Sequence, residues 1–310
     1  MSLMRTFLLA LSRSVQLRQM AVGFEPARKL ARRFTAGETL EEALAVAQRL
    51  NEEGLEVTLD HLGESVTGEP EARDAATATL DLLDGIEASG IRSGISVKLT
   101  QLGLELSPAL TADNLRQIVA RASEARRFVR IDMENAEYVQ QTLDLFESLW
   151  GQYRNVGVVI QSYLHRSAGD VERLAQLGAS VRLVKGAYDE PPDVAFADKA
   201  EIDASFNWLM EQLFGNEARA NGVFPAIATH DADLIDSARS YADRQNMARD
   251  SFEFQMLLGV RSTLQQQLVA EGYRVRAYVP YGEQWYPYLM RRLAERPANV
   301  YLIVQNLVRS

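Results

Sequence analysis

The chain has 310 residues, enough for one barrel-sized domain of about 250 residues with a short extension. At 47% apolar and 24% charged residues it reads as globular, neither disordered nor fibrous. The absence of cysteine removes disulfides, thiolate nucleophiles and Cys-ligated zinc or iron–sulfur centres, and a net charge of −9 argues against a broad nucleic-acid-binding face, so no nucleic-acid partner is expected.

The first 24 residues carry Arg5, Arg13 and Arg18 and no acid, with Phe7, Leu8, Leu11 and Val15 at helical spacing. Such a basic amphipathic helix packs on the domain, touches a membrane or partner, or serves as a targeting segment; its apolar run is too short to span a bilayer. No other segment approaches the length of an apolar membrane span. Residues 25–53 read as one or two helices, with Thr39 and Glu42 spaced as a capping box before LEEALAVAQRL. The β-favouring run LEVTLDHLGES follows, then a helix over 70–89 and ISVKLT at 95–100. A helix in TADNLRQIVARASEA precedes FVRIDM at 128–133, and one around 136–150 precedes VGVVIQSY at 156–163. A short helix at 167–177 leads to SVRLVKGAY at 180–188, and a long one at 194–214 leads to FPAIATH at 224–230. After a helix beyond Asp231 come FEFQML at 252–257, RVRAYVP at 274–280, a helix at 284–294 and the tail NVYLIVQNLVR.

Eight strands are thus expected, near 55–60, 95–100, 128–133, 156–162, 181–185, 224–229, 252–256 and 274–279. Helical patterns between them point to parallel βαβ units. The α/β arrangement fits a TIM-like (β/α)8 barrel over 55–310, preceded by an N-terminal helical accessory region over 1–54; a doubly wound sheet gives the same alternation. In a barrel the site lies at the C-terminal strand ends.

Several familiar chemistries are missing: there is no Gly-x-Gly-x-x-Gly, no Walker-type loop and no His-Glu-x-x-His. His61, His165 and His230 fall at or beyond three different strand ends and read as ordinary polar contacts; no metal is expected. Lys98 and Asp132 sit near the ends of the second and third strands, Arg182 and Lys185 on or beyond the fifth. Charges there need solvent, a ligand or ion partners, so a structural salt-bridge network and a ligand site are both open. Arg291 and Arg292 share a helix with Trp285 and Tyr288. Two guanidinium groups suit a carboxylate, but Glu295 at helical spacing offers them a local ion pair instead.

The strings SVKLTQLG, VRIDME, VRLVKGAY and RAYVPYGEQWYPYLMRRL, in that order, resemble the bacterial monofunctional proline dehydrogenase family from about residue 55 to the C-terminus. The resemblance implies a (β/α)8 barrel that holds FAD and oxidises L-proline to 1-pyrroline-5-carboxylate, a hydride passing to flavin N5 and electrons onward to a membrane quinone. It also implies a cytoplasmic location, peripheral at the inner face of the cell membrane, and 1-pyrroline-5-carboxylate dehydrogenase as the downstream enzyme. By motif, Lys98 resembles the lysine near substrate and flavin, and Asp132 the aspartate that positions it. Tyr278 and Tyr288 resemble residues shaping the ring pocket, with Leu257 and Ala187 as apolar walls. Arg291 and Arg292 resemble the carboxylate-binding pair, and Glu64 the gate partner of Arg291. Gln161, Arg182, Lys185, Thr229 and His230 resemble cofactor contacts. Two other classes remain open from the residues alone: a barrel lyase or aldolase using Lys98 or Lys185 as an imine-forming nucleophile, and a metabolite-binding protein.

Overall fold

A computed structural model describes residues 24–295; the expectations for the basic first helix and for the tail lie outside the described residues. Helices α1 (Glu25–Ala31) and α2 (Leu40–Glu52) precede strand β1 (Glu56–His61). Then alternate α3 (Glu69–Ser89), β2 (Ser93–Val97), α4 (Pro108–Glu124), β3 (Val129–Ile131), a 3-10 turn (Ala136–Tyr138) running into α5 (Val139–Trp150), and β4 (Val156–Gln161). The second half contains α6 (Ser167–Gln176), β5 (Ser180–Val184), α7 (Lys199–Phe214), α8 (Asn216–Ala220), β6 (Phe224–Ala228), α9 (Ala232–Arg244), β7 (Glu253–Leu257), α10 (Ser262–Ala270), β8 (Arg274–Tyr281) and α11 (Trp285–Glu295). All eight strands are parallel and close in sequence order, β8 pairing with β1, so the TIM-like barrel is the architecture and the doubly wound sheet is excluded.

Local chemistry explains the boundaries. Thr39 accepts from the Glu42 amide while the Glu42 carboxylate accepts from the Thr39 amide, the capping box read from the sequence. The helix expected at 194–214 begins only at Lys199, where Asp198 caps it. Before it, the turn after Pro191 and a bridge between Leu164 and Ala195 hold the chain out of helical geometry. Helices α8 and α10, to which no helix was assigned, are short, and α10 buries only Gln265 and Leu268.

One face of the strands and the inward faces of the helices share an apolar layer. Leu59, Ile95, Ile131, Ile160, Leu183, Ile227, Phe254 and Val279 meet residues such as Leu83, Ile118, Phe146 and Phe206 in one core cluster. The lumen is different. Barrel interiors are commonly filled by branched aliphatic side chains, but this one contains charges. Arg276 donates to both carboxylate oxygens of Glu253 (2.8 and 3.1 Å) and to the Val57 carbonyl (2.8 Å). Arg130 donates to the carbonyls of Val158 and Ser180 (2.9 and 2.7 Å) and to Ser180 Oγ (3.0 Å). Gly157 is required for that approach, because a Cβ there would lie 2.6 Å from both Arg130 Nη1 and the Ser180 carbonyl oxygen.

A smaller apolar cluster joins α11 to the pre-barrel segment: Trp285, Tyr286, Tyr288, Leu289 and Met290 pack with Leu62 and Ala31, flanked by Phe34 and Leu30. Trp285 Nε1 donates to Glu38 (3.0 Å), which also pairs with Arg28 (2.8 Å). The helix bearing Arg291 and Arg292 is therefore anchored on residues that precede the barrel.

Candidate active site

Polar groups from the C-terminal ends of β1, β2, β3, β5, β7 and β8 converge at the mouth. Lys98, one residue past β2, places Nζ 2.9 Å from each carboxylate oxygen of Asp60 and 3.6 Å from Asp132 Oδ2. The Tyr278 hydroxyl donates to Asp132 Oδ2 (2.7 Å) and lies 3.4 Å from Lys98 Nζ. On its other oxygen Asp132 accepts from Ser96 Oγ (3.0 Å) and Arg182 Nη1 (2.7 Å). Arg182 also donates through Nε to Gln255 Oε1, and its guanidinium lies over the Tyr278 ring.

The electrostatics follow from burial and pairing. Burial alone would depress the Lys98 ammonium, but Asp60 and Asp132 outweigh it and hold the group charged. Burial would likewise raise Asp132, yet Lys98 and Arg182 keep its carboxyl below the ordinary range. Tyr278 is pushed well up, by burial and then by Asp132, and stays a neutral donor. A lysine held charged by two carboxylates is a poor imine-forming nucleophile, which counts against the aldolase reading of Lys98.

Above this array, Glu64 and Arg291 form a two-point ion pair at 2.7 and 3.1 Å, although Arg291 sits on α11 and Glu64 on the loop after β1. Arg292 lies over the Tyr288 ring, 5.2 Å from its centroid. Tyr188 stands among these groups: burial raises its phenol, followed by the charges of Glu134 and Glu64, with Lys98 and Arg291 opposing. Ala187 is exposed, whereas Tyr188 is partly buried. Glu134 accepts from the Thr100 amide (3.1 Å) and hydroxyl, and burial raises its carboxyl above the usual range.

The residues matched to a cofactor lie on or just after β4, β5 and β6. Lys185 is clamped between Asp203 and Asp231 (2.8 Å to the latter), and its hydrogen bond is the main reason Asp231 is lowered to about 2. Thr229 Oγ1 accepts from the Asp231 amide (3.1 Å), and His230 Nε2 accepts from the Leu257 amide (2.9 Å), which leaves the ring proton on Nδ1. Gln161, 2% exposed, donates to the Glu134 carbonyl (3.2 Å), while its Oε1 is buried with no hydrogen-bond partner among the described residues. Gly186 has φ +113°, and a Cβ there would strike the Tyr163 ring, so only glycine allows the chain to pass so close to it. A buried acceptor still lacking a donor fits the imide N–H of a flavin.

Asp60, Ser96, Glu134, Tyr188 and Gln255 were not singled out in the sequence. Asp60 carries the same signal that drew attention to Lys98, a charge at the end of an apolar strand, but it reads there as the polar close of the run. The histidines do not converge: His61 packs tilted against Tyr281, and His165 meets Phe196 edge-on. Among the described residues no cluster of His, Asp and Glu could hold a metal, and no helix is long and apolar enough to cross a membrane.

Comparison with known proteins gives a consistent match. The family model described as proline dehydrogenase matches residues 43–303. Proline dehydrogenase 2 of Bacillus subtilis (strain 168) is 40% identical over 296 residues, covering 96% of each chain. Proline dehydrogenase of Deinococcus radiodurans is 40% identical over 285 residues, covering 90% of each. Among solved structures, proline utilization A from Bdellovibrio bacteriovorus, inactivated by N-propargylglycine, superposes with a TM-score of 0.81 at 29% identity over 87% of this chain, which spans 33% of that longer protein.

Proposed function

Because the chain belongs to the proline dehydrogenase family, we propose that it is an FAD-dependent enzyme that oxidises L-proline to 1-pyrroline-5-carboxylate. The observation that carries this reading is the Asp132-centred array with Lys98, Tyr278 and Arg182, in the same mouth as the Glu64–Arg291 pair. Gln161, Arg182, Lys185, Thr229 and His230 would hold FAD, which when bound supplies a two-electron acceptor for the hydride leaving proline C5.

The chain's own residues bind, orient and tune the substrate. Arg291 and Arg292 hold the carboxylate, while Tyr278, Tyr288 and Leu257 bound the ring; Tyr188 extends that wall beyond Ala187. As C5–H leaves with its electron pair, the nitrogen lone pair becomes the C=N bond, so the amine must be unprotonated at that moment. Cationic Lys98, Arg291 and Arg292 disfavour the ammonium, and the proton departs to water. Lys98 acts by charge and hydrogen bonding, positioned by Asp60 and Asp132. In this reading residues 55–310 form the catalytic barrel and 1–54 an accessory region. The family resemblance supports a quinone as electron acceptor, peripheral contact at the inner face of the cell membrane, and transfer of product to 1-pyrroline-5-carboxylate dehydrogenase.

The protein supplied with FAD is expected to retain it, to lose its flavin absorption on anaerobic addition of proline, and to release free FAD on denaturation. Retained flavin that proline does not bleach would favour a binding protein instead. A protein that takes up no flavin would overturn the assignment.

The Glu64–Arg291 pair is proposed to separate and re-form as substrate exchanges. Because both side chains are partly exposed, at 38% and 28%, Glu64→Ala should change folding stability by less than about 1 kcal/mol. Flavin reduction should nonetheless slow on the order of tenfold, since the site closes less often. Stopped-flow reduction beside thermal melts would check this; unchanged reduction would rule the gate out.

A further inference from the structure

We propose that Glu253, at the floor of the barrel, is a positioning residue for Arg182 and acts on it through the side-chain amide of Gln255. Where it bears on proline oxidation, this role rests on the function proposed above. Glu253 and Gln255 are two residues apart on β7, so their side chains share the luminal face. The Gln255 Nε2 donates to Glu253 Oε1, and its Oε1 accepts from Arg182 Nε.

A glutamine amide has one donor end and one acceptor end of nearly equal size, so its shape alone selects neither orientation. Its neighbours do. Arg182 Nε–H can only donate and needs the oxygen. Glu253 is 2% exposed, and although burial by itself would raise its carboxyl, Arg276 and its hydrogen bonds hold it ionised; it can only accept and takes the N–H. An acceptor below thus sets the acceptor above. With Nε held in this way, Arg182 Nη1 reaches Asp132 at 2.7 Å and Ser96 Oγ at 3.2 Å. Asp132 in turn accepts from Tyr278 and faces Lys98. The floor charge therefore orients the mouth without touching it. A merely structural Glu253 would neutralise Arg276 and Arg130 and leave Arg182 where it is.

The test follows the Arg182 Nε–H signal in protein labelled with 15N-arginine, identified by its loss in Arg182→Lys. A buried, hydrogen-bonded Nε–H exchanges slowly with water. In Glu253→Gln and in Gln255→Met the signal should move and exchange about tenfold faster, and proline-dependent flavin reduction should slow about tenfold. Adding Glu253→Gln to Gln255→Met should change neither readout further, because the first residue acts through the second. Should Glu253→Gln fail to fold, Glu253→Asp keeps the charge beside Arg276 while withdrawing the carboxylate from Gln255, and the same changes are expected. An unmoved Arg182 signal in a folded Glu253 variant, or additive effects of the two substitutions, would overturn the proposal. If proline does not reduce the wild-type flavin, the functional reading falls, yet the Arg182 signal still decides the role of Glu253.

Discussion

Lys98→Met is expected to bind FAD but to be reduced by proline about two to three orders of magnitude more slowly, the loss typical of removing one preorganised electrostatic contact. The substitution also bares Asp60, whose side chain is 2% exposed. An uncompensated buried carboxylate costs about 3–5 kcal/mol, so Lys98→Met should melt earlier, and pairing it with Asp60→Asn should restore stability without restoring the rate. The pH dependence has a definite sign. Removing a cation beside the bound amine makes its ammonium form easier to keep, so the reduction profile moves to higher pH. Wild-type stability does not confound this. The raised Lys98 contributes stability in full below its ordinary value of about 10.4, lost only as pH rises through the folded value. The lowered Asp132 contributes above its ordinary value of about 4, lost only as pH falls through the folded value. Neither window overlaps roughly pH 6–9. Anaerobic stopped-flow across pH reads the shift. Borohydride followed by intact-mass measurement should find no proline adduct on wild-type Lys98. An adduct, or an unchanged rate and profile in Lys98→Met, would defeat the role given to this lysine.

Arg292→Met should chiefly weaken proline binding. Arg291 shares its guanidinium with Glu64, so in the proposed function Arg292 would carry the larger part of the substrate carboxylate. Loss of a charge-assisted contact of this kind amounts to about 2–5 kcal/mol in kcat/KM. FAD content should be unchanged, and Arg292→Lys should recover only part of the loss, because an ammonium replaces charge but not the planar fork. Saturation kinetics of flavin reduction separate binding from chemistry. Near-wild-type reduction at low proline would place the carboxylate elsewhere.

The strands were legible because period, length and turn residues agree at every one of them. Their tips were harder. β2 and β3 end at Val97 and Ile131, just before Lys98 and Asp132, whose side chains bond across the mouth. Arg130, Glu253 and Arg276 went unread because their partners lie across a lumen that exists only after closure. Spacing along α11 drew attention to Glu295, whereas the partner observed for Arg291 is Glu64, 227 positions away. No local pattern reports such a contact. Gln255 shares FEFQM with Glu253, and its meaning depends on which end of the amide faces Arg182.

The last pairing of the barrel has a consequence for how the chain is made. β1 closes on β8, and Arg276 reaches the Val57 carbonyl 219 positions earlier. At ribosomal speeds of about 5–20 residues per second, β1 waits roughly 10–45 s for its final neighbour. An open parallel sheet presents an unpaired edge throughout that interval, the usual template for edge-to-edge aggregation. Here the emerging half-barrel carries Asp60, Lys98, Arg130, Asp132 and Arg182 toward the future lumen. Inward-pointing charges of that kind make a second copy of the nascent sheet a poor partner. A polar lumen of this kind would disfavour such pairing during synthesis, and Glu253 gains its ion-pair partner only when β8 arrives with Arg276.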